Sequence, residues 1–442
     1  MGGSAFSSLP NAPYTPRMPP EVYRQVVSAC GAALRDLFVC VATPIEAPAK
    51  RDYGDIDMLV ALERRVLFPR AHEDATPRQP RELMSSIQSV LGAEYALIGP
   101  SGCSANLAIP WPSDLDKQAE DIGTGSGGGG VEDSHRGGEK KYIQVDIRVC
   151  PDVNNLCWIL YRHAHGDLWN IIGSTIRPYG LTVDEEALWL RIPEVEKFDR
   201  KKAKVLLSQD PAEILHFLGM KVHGYWDAPF ESVDALFEYA TSCRLFCVKE
   251  TPGDDGDDVG MIGGEEGRKK LKSNDRRRMA QRSIFRSWVN EYIPNLRAQN
   301  RFIRKGKATS LQEARAAVRD EAFARFFVGP EYRARLREFQ LERDSAQMKS
   351  LIKELIPTDM DPQRRACLVS GMLKILMGDD RSFGFIPSGL KNQEGFYDKE
   401  VVRKFIQDNM AEVAKVAWDK QLERARASMQ RKALARAAGE RG

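Results

Sequence analysis

The chain has 442 residues, of which 42% are hydrophobic and 29% charged. This balance suits a globular protein of two to four domains with long surface helices. Mean hydropathy is −0.42, and no apolar run approaches the roughly 18 residues of a membrane span, which excludes a membrane protein. The eight cysteines lack the paired spacing of a zinc site or a secreted disulfide framework, so reduced thiols and an intracellular location, cytoplasm or nucleus, are expected. The net charge of +3 conceals a split. Residues 1–250 carry 26 Lys and Arg against 34 Asp and Glu, whereas residues 251–442 carry 39 against 28. A basic C-terminal half is suited to meeting phosphate, although Arg-rich amphipathic helices with solvated faces give the same count.

Residues 1–20 are rich in Gly, Ser and Pro and read as a disordered arm. Apolar spacing predicts a helix over 21–38, a strand over 55–62 and a helix over 80–91. Strands follow at 95–99 and 105–111, joined by a turn at Gly99-Pro100-Ser101-Gly102. Residues 112–141 contain GTGSGGGG amid charges and read as a flexible insertion between strands. A strongly alternating strand covers 141–150, and a helix covers 153–177, ending before Pro178. LTV and ALWLRI flank Asp184, Glu185 and Glu186 as a hairpin, with the two glutamates solvated in the turn. KVLLS at 204–208 adds a strand. Asp210-Pro211 and Ser232 open two more helices. The acidic, glycine-rich segment 251–267 reads as a linker and domain boundary. Beyond it, helices are expected at 274–293, 311–327, 331–356, 362–377 and 398–437.

The segment Tyr53-Gly54-Asp55-Ile56-Asp57-Met58-Leu59-Val60 carries the chemistry. In a strand, residues two apart share a face, so Asp55 and Asp57 project together and Ile56 and Met58 project to the other side. Two carboxylates this close repel unless a cation lies between them, and hard oxygen ligands suit Mg²⁺ or Mn²⁺. A third acid comes from Tyr142-Ile143-Gln144-Val145-Asp146-Ile147-Arg148-Val149, where Gln144, Asp146 and Arg148 share one face. Three carboxylates on neighbouring strands are able to hold two metal ions, and Arg148 is suited to a phosphate.

GDIDMLV followed by IQVDIRV resembles the catalytic core of the DNA polymerase β-type nucleotidyltransferase superfamily. The resemblance covers roughly residues 21–150, with continuation to 250. It implies an α/β (α+β) nucleotidyltransferase-like domain with a small mixed sheet flanked by helices, metal-binding and catalytic roles for Asp55, Asp57 and Asp146, and an NTP as donor. The Gly-Ser turn that usually precedes the paired acids is missing from Val41-Ala42-Thr43-Pro44-Ile45-Glu46-Ala47-Pro48. Thr43 is expected to stand in for the Ser hydroxyl, and Lys50 or Arg51 to compensate electrostatically. Gly54 and Arg148 complete the expected nucleotide-binding set.

The expected organisation is therefore an arm (1–20), a nucleotidyltransferase-like domain (21–250, with its insertion at 112–141), an acidic linker (251–267) and a mainly helical basic domain (268–442). The expected function is metal-dependent transfer of a nucleoside monophosphate from an NTP to a hydroxyl acceptor. The basic half, densest at Arg276-Arg277-Arg278 and Arg282, would contact a nucleic-acid acceptor. One rival reading is a catalytically impaired nucleotidyltransferase fold that binds RNA or a protein. The other is a metal-dependent phosphohydrolase built on His163 and His165. That reading needs both histidines beside the carboxylates, whereas two residues apart in one helix they do not share a face.

Overall fold

The computed structural model describes residues 3–71, 76–112, 140–248, 279–280, 282–303 and 310–439. The acidic segment 251–267, nearly all of the 112–141 insertion and Arg276 to Arg278 lie outside the described residues.

Five strands form a mixed sheet in the order β1 (Phe38–Ala42), β2 (Asp55–Glu63), β5 (Tyr142–Val149), β4 (Ser104–Pro110), β3 (Tyr95–Ile98). β2 and β5 run parallel at its centre, and the other neighbours pair antiparallel. The alternation read in β2 and β5 is borne out. Ile56, Met58 and Val60 join Ile143, Val145, Ile147, Ala105 and Leu107 in one buried core. Two helices cover that face: α1 (Pro20–Leu34), with Pro at its first position, and α2 (Pro80–Val90), opened by a Gln79/Glu82 capping box. The turn expected at 99–102 joins β3 to β4, with the Gly99 N–H bonded to the Ser104 carbonyl at 2.8 Å.

Three sequence expectations are corrected on this side of the molecule. The first helix ends at Leu34, and Phe38 opens β1. Phe38 merely continues the four-residue spacing of Val22, Val26, Cys30 and Leu34. The expected helix over 153–177 is two helices, α3 (Val153–His163) and α4 (Leu168–Ile176). Between them, His165 and Gly166 take positive φ angles of 60° and 66°. Gly166 lies so close to Ala47 that an added Cβ would fall 2.6 Å from the Ala47 Cβ, which only glycine tolerates. Finally, residues 3–20 are an ordered strap. Phe6 and Met18 are buried, with Phe6 against Ala108 and Tyr142. Met18 bridges to Tyr53 and Tyr14 to Lys141 by backbone pairing.

The expected hairpin and added strand form a separate three-stranded sheet, β6 (Leu181–Val183), β7 (Leu188–Arg191) and β8 (Lys204–Ser208), in that order. The compact units divide at Val328 rather than in the acidic segment. Met1–Arg191 with Lys204–Val328 forms one, and Ile192–Ala203 with Gly329–Gly442 forms the other. The helices at Ser283–Ser287, Ile293–Ala298 and Leu311–Phe326 therefore belong with the sheets. The second unit is helical: α5 (Gly329–Leu355), α6 (Pro362–Gly378) and α7 (Lys399–Gly439) bury Met348, Ile352, Leu368, Met372, Ile375, Val402, Ile406 and Val413 in their own core. Among the described residues no helix is long and apolar enough to cross a membrane.

Candidate functional site

The face of the large sheet turned away from α1 and α2 carries the polar residues. The parallel register sets Asp55 opposite Gln144, Asp57 opposite Asp146 and Leu59 opposite Arg148. On the other flank of β5, Asn106 stands opposite Asp146 and Ser104 opposite Arg148. Asp57, Asp146 and Asn106 thus form a row across three adjacent strands, since paired residues project to the same side.

This row floors a cleft of about 540 Å³ whose walls include Pro44, Arg148 and His163. Asp146 Oδ1 accepts hydrogen bonds from Asn106 Nδ2 at 2.6 Å and Gln144 Nε2 at 2.8 Å. Burial pushes the Asp146 pKa up and the Asp55 charge adds to this, while the two amide donors pull it down; the net direction is upward. Asp57 is pushed up to about 6, first by burial and then by the charges of Asp55 and Asp146, with His163 opposing. Asp57 still reaches solvent. A carboxylate on the floor of a walled cleft touches water yet is largely surrounded by protein, and it loses much of the solvation of an open surface. The three acids therefore share a face and feel one another's charge, as the strand periodicity implies. Among the described residues, however, no group of three or more His, Cys, Asp or Glu side chains is gathered as a ready metal-ligand set.

The expected nucleotide-binding residues separate. Arg148 lines the cleft and lies 3.5 Å from Glu185. Thr43 is half-buried beside the Tyr23 hydroxyl, and its neighbour Pro44 reaches the cleft. Lys50 does not line the cleft; it lies 2.5 Å from Glu46 and 4.7 Å from the centre of the Tyr53 ring. Tyr53 in turn stacks on Tyr23 at 3.8 Å, and the Tyr23 hydroxyl donates to Glu46. Arg51 is exposed on the same loop. Gly54 is covered by the N-terminal strap, since a Cβ at Gly3 would fall 2.3 Å from the Gly54 carbonyl oxygen.

The two histidines part company. His163 faces the cleft, with Nε2 at 3.3 Å from Glu185. His165 is buried, with Nε2 donating to the Tyr225 carbonyl at 2.8 Å and its ring against Tyr225 and Phe230. Burial holds its pKa below the ordinary histidine value. The pair does not form one cluster beside the carboxylates. Glu185, read as solvated, is half-exposed but joined to both His163 and Arg148, which hold its pKa down. Arg282 is tied to Asp167 at 2.7 Å, bracing the turn before α4.

Asn106 and Glu185 were missed as site residues. Asn106 leaves a faint signal, a lone amide in the apolar strand ANLAIP. Glu185 leaves none, because its partners lie 22 and 37 residues away. No protein-family model matches the chain, and no curated protein matches it.

Proposed function

We propose that the carboxylate-floored cleft is a metal-dependent nucleotidyl-transfer site that takes an NTP as donor. The observation that carries the reading is the register match of Asp57 with Asp146 on one sheet face, with Asp55 close enough to help raise the Asp57 pKa to about 6. The donors are all carboxylate oxygens, the chemistry that Mg²⁺ and Mn²⁺ prefer, and their mutual repulsion is the strain that a divalent cation relieves. Asp55, Asp57 and Asp146 would hold the ion. When bound, such an ion polarises phosphoryl oxygens and eases loss of the acceptor proton.

The chain's own groups supply the rest. Asn106 and Gln144 fix the orientation of Asp146 by occupying one of its oxygens, which leaves Oδ2 for a ligand. Arg148, on the cleft wall, attracts a phosphate. Glu185 braces both Arg148 and His163 at the cleft edge.

The rival reading, a fold that binds nucleotide without turnover, draws on the loop after β1, which lacks the Gly-Ser turn and ties Lys50 to Glu46. The phosphohydrolase reading loses its basis because only His163 reaches the cleft. The test is pyrophosphate release from each of the four NTPs with Mg²⁺ or Mn²⁺, scored for the wild type and Asp57→Asn. Transfer predicts release that the substitution abolishes. Nucleotide binding without release supports the binding protein, and release that Asp57→Asn leaves intact rejects the site.

A further inference from the structure

The second unit contains an open pocket of about 740 Å³ formed by α5, α6 and the segment before α7. Its lining brings together Lys349 on α5, Lys374 on α6 and Lys391 on the connecting segment, together with Ser345 and Ser370. Val369, Leu373 and Met377 give that lining an apolar part. No Asp or Glu lines it.

Among the described residues none of the three ammonium groups forms an ion pair with a carboxylate. Lys391 instead lies 4.6 Å from the centre of the Tyr397 ring. Three acids outside its lining accept backbone N–H groups. Asp344 accepts the Tyr397 backbone N–H at 2.8 Å, Asp398 accepts the N–H groups of Glu400 and Val401, and Asp380 accepts that of Ser382. No carboxylate lines the concavity, so its three ammonium groups, of which Lys374 also acts on Asp380, raise the local potential and draw in anions.

The neighbouring groove on α5 differs. It also carries basic residues, Arg343, Lys399 and Arg403, but Glu342 and Glu354 line it as well, and Glu342 pairs with Lys202 at 3.1 Å. Carboxylates thus share the lining of that groove, and none lines the lysine pocket.

We infer that the lysine pocket binds the phosphate backbone of a single-stranded polynucleotide. The shape favours a polymer over a free nucleotide. A small ligand needs a site that buries most of its surface, and this pocket is wide open. A strand passing across it gains from each ammonium–phosphate contact and from the counterions it releases, with no need for enclosure. Lysines act as mobile point charges, which suits sequence-independent backbone contact. The serine hydroxyls offer hydrogen bonds to phosphate or sugar, and the apolar lining residues offer a surface for a base. The inference is independent of the carboxylate cleft, because binding is read without metal or NTP.

The test uses the full chain and a fluorescent twelve-nucleotide oligo(U), with anisotropy measured over a range of salt concentrations. The comparison is the triple substitution Lys349→Glu, Lys374→Glu, Lys391→Glu. With about 0.7 of a log–log unit per neutralised phosphate on single strands, three contacts contribute a salt slope of about −2. The triple variant is expected to lose that part of the slope and at least tenfold in affinity, whereas the triple Lys→Arg variant keeps both. Lys391→Gln alone, on the connecting segment, is expected to lose about a third of the slope, and it keeps the test decisive if the triple variant fails to fold. An unchanged slope in these variants overturns the proposal, because RNA would then bind elsewhere, for instance at Arg276 to Arg278. Lysine-dependent binding of ATP or of anionic vesicles with no binding of the oligonucleotide also overturns it.

Discussion

The two faces of the five-stranded sheet use the same strands for opposite purposes. On the α1 and α2 side, Ile56, Met58, Val145, Ile147 and Leu107 are essentially sealed from water. One residue along each strand, Asp55, Asp57, Asp146, Arg148 and Asn106 occupy the other side, and all but Asp55 line the cleft. The first face holds the sheet by apolar burial, of order 1.5–3 kcal/mol per large side chain. The second gathers like charges in a cleft, where burial first and the neighbouring carboxylates second raise the pKa of Asp57, which works against the folded state. Stability and chemistry are thus separated by the pleat of the strand, so adjacent residues should respond to substitution in different ways.

The largest effect is expected at Val145→Asp. A lone carboxylate in a sealed core costs several kcal/mol, and circular dichroism should find the sheet-bearing unit unfolded. One residue on, Asp146→Asn should leave the fold intact, with a melting temperature equal to or above the wild type. Outer partners of metal ligands alone change affinity or activity by about 10–100-fold, so losing this carboxylate is expected to lower NTP turnover by more than about 100-fold. Collapse of the fold in Asp146→Asn would erase the distinction between the faces.

The next effect is a pH dependence. The Asp57 pKa is raised in the folded protein to about 6 from an ordinary value of 3.8. Its ionisation therefore opposes folding: the penalty is absent below about pH 3.8, grows as pH rises through about 6, and is fully present above it. Chemical unfolding of wild type and Asp57→Asn at pH 4 and pH 7.5 should give a stability advantage to the substitution at pH 7.5 and little difference at pH 4. Equal differences at both values would mean that Asp57 titrates normally.

Much of this contrast is legible in the sequence, because a period of two is a local property. DIDMLV and YIQVDIRV each declare one apolar and one polar face, and matching them requires only that the strands be neighbours. What the sequence hides depends on distant contacts. Phe38 keeps helical spacing with Leu34, yet it pairs with Glu63 as the start of an edge strand. The break between α3 and α4 comes from the approach of Gly166 to Ala47, about 120 positions away in the chain. The Gly- and Pro-rich start of the chain has a disordered composition, but Phe6 and Met18 find buried places on elements far along the sequence. His163 and His165 look equivalent in sequence. The turn between the two helices sends one to the cleft and the other into an aromatic core.

The smallest effect is expected from removing residues 113–139. β4 and β5 pair antiparallel as far as Pro110 opposite Tyr142, and the Trp111 N–H bonds the Lys141 carbonyl at 3.0 Å. The ends of the segment already meet, so a short turn can join them. Loop length enters stability only logarithmically, at about 0.6 kcal/mol per doubling. The deletion should melt within a few degrees of the parent and keep metal binding, and a large drop in melting temperature would show that the segment helps hold the sheet.

Titration with Mn²⁺, followed by loss of the free-ion electron paramagnetic resonance signal, tests the carboxylate face most directly. The wild type is expected to bind Mn²⁺ at neutral pH, and Asp57→Asn and Asp146→Asn, both folded, are expected to lose that binding. Retention of the same Mn²⁺ affinity in both variants, or no binding by the wild type at millimolar ion, would contradict the assignment of this face as a metal-dependent site.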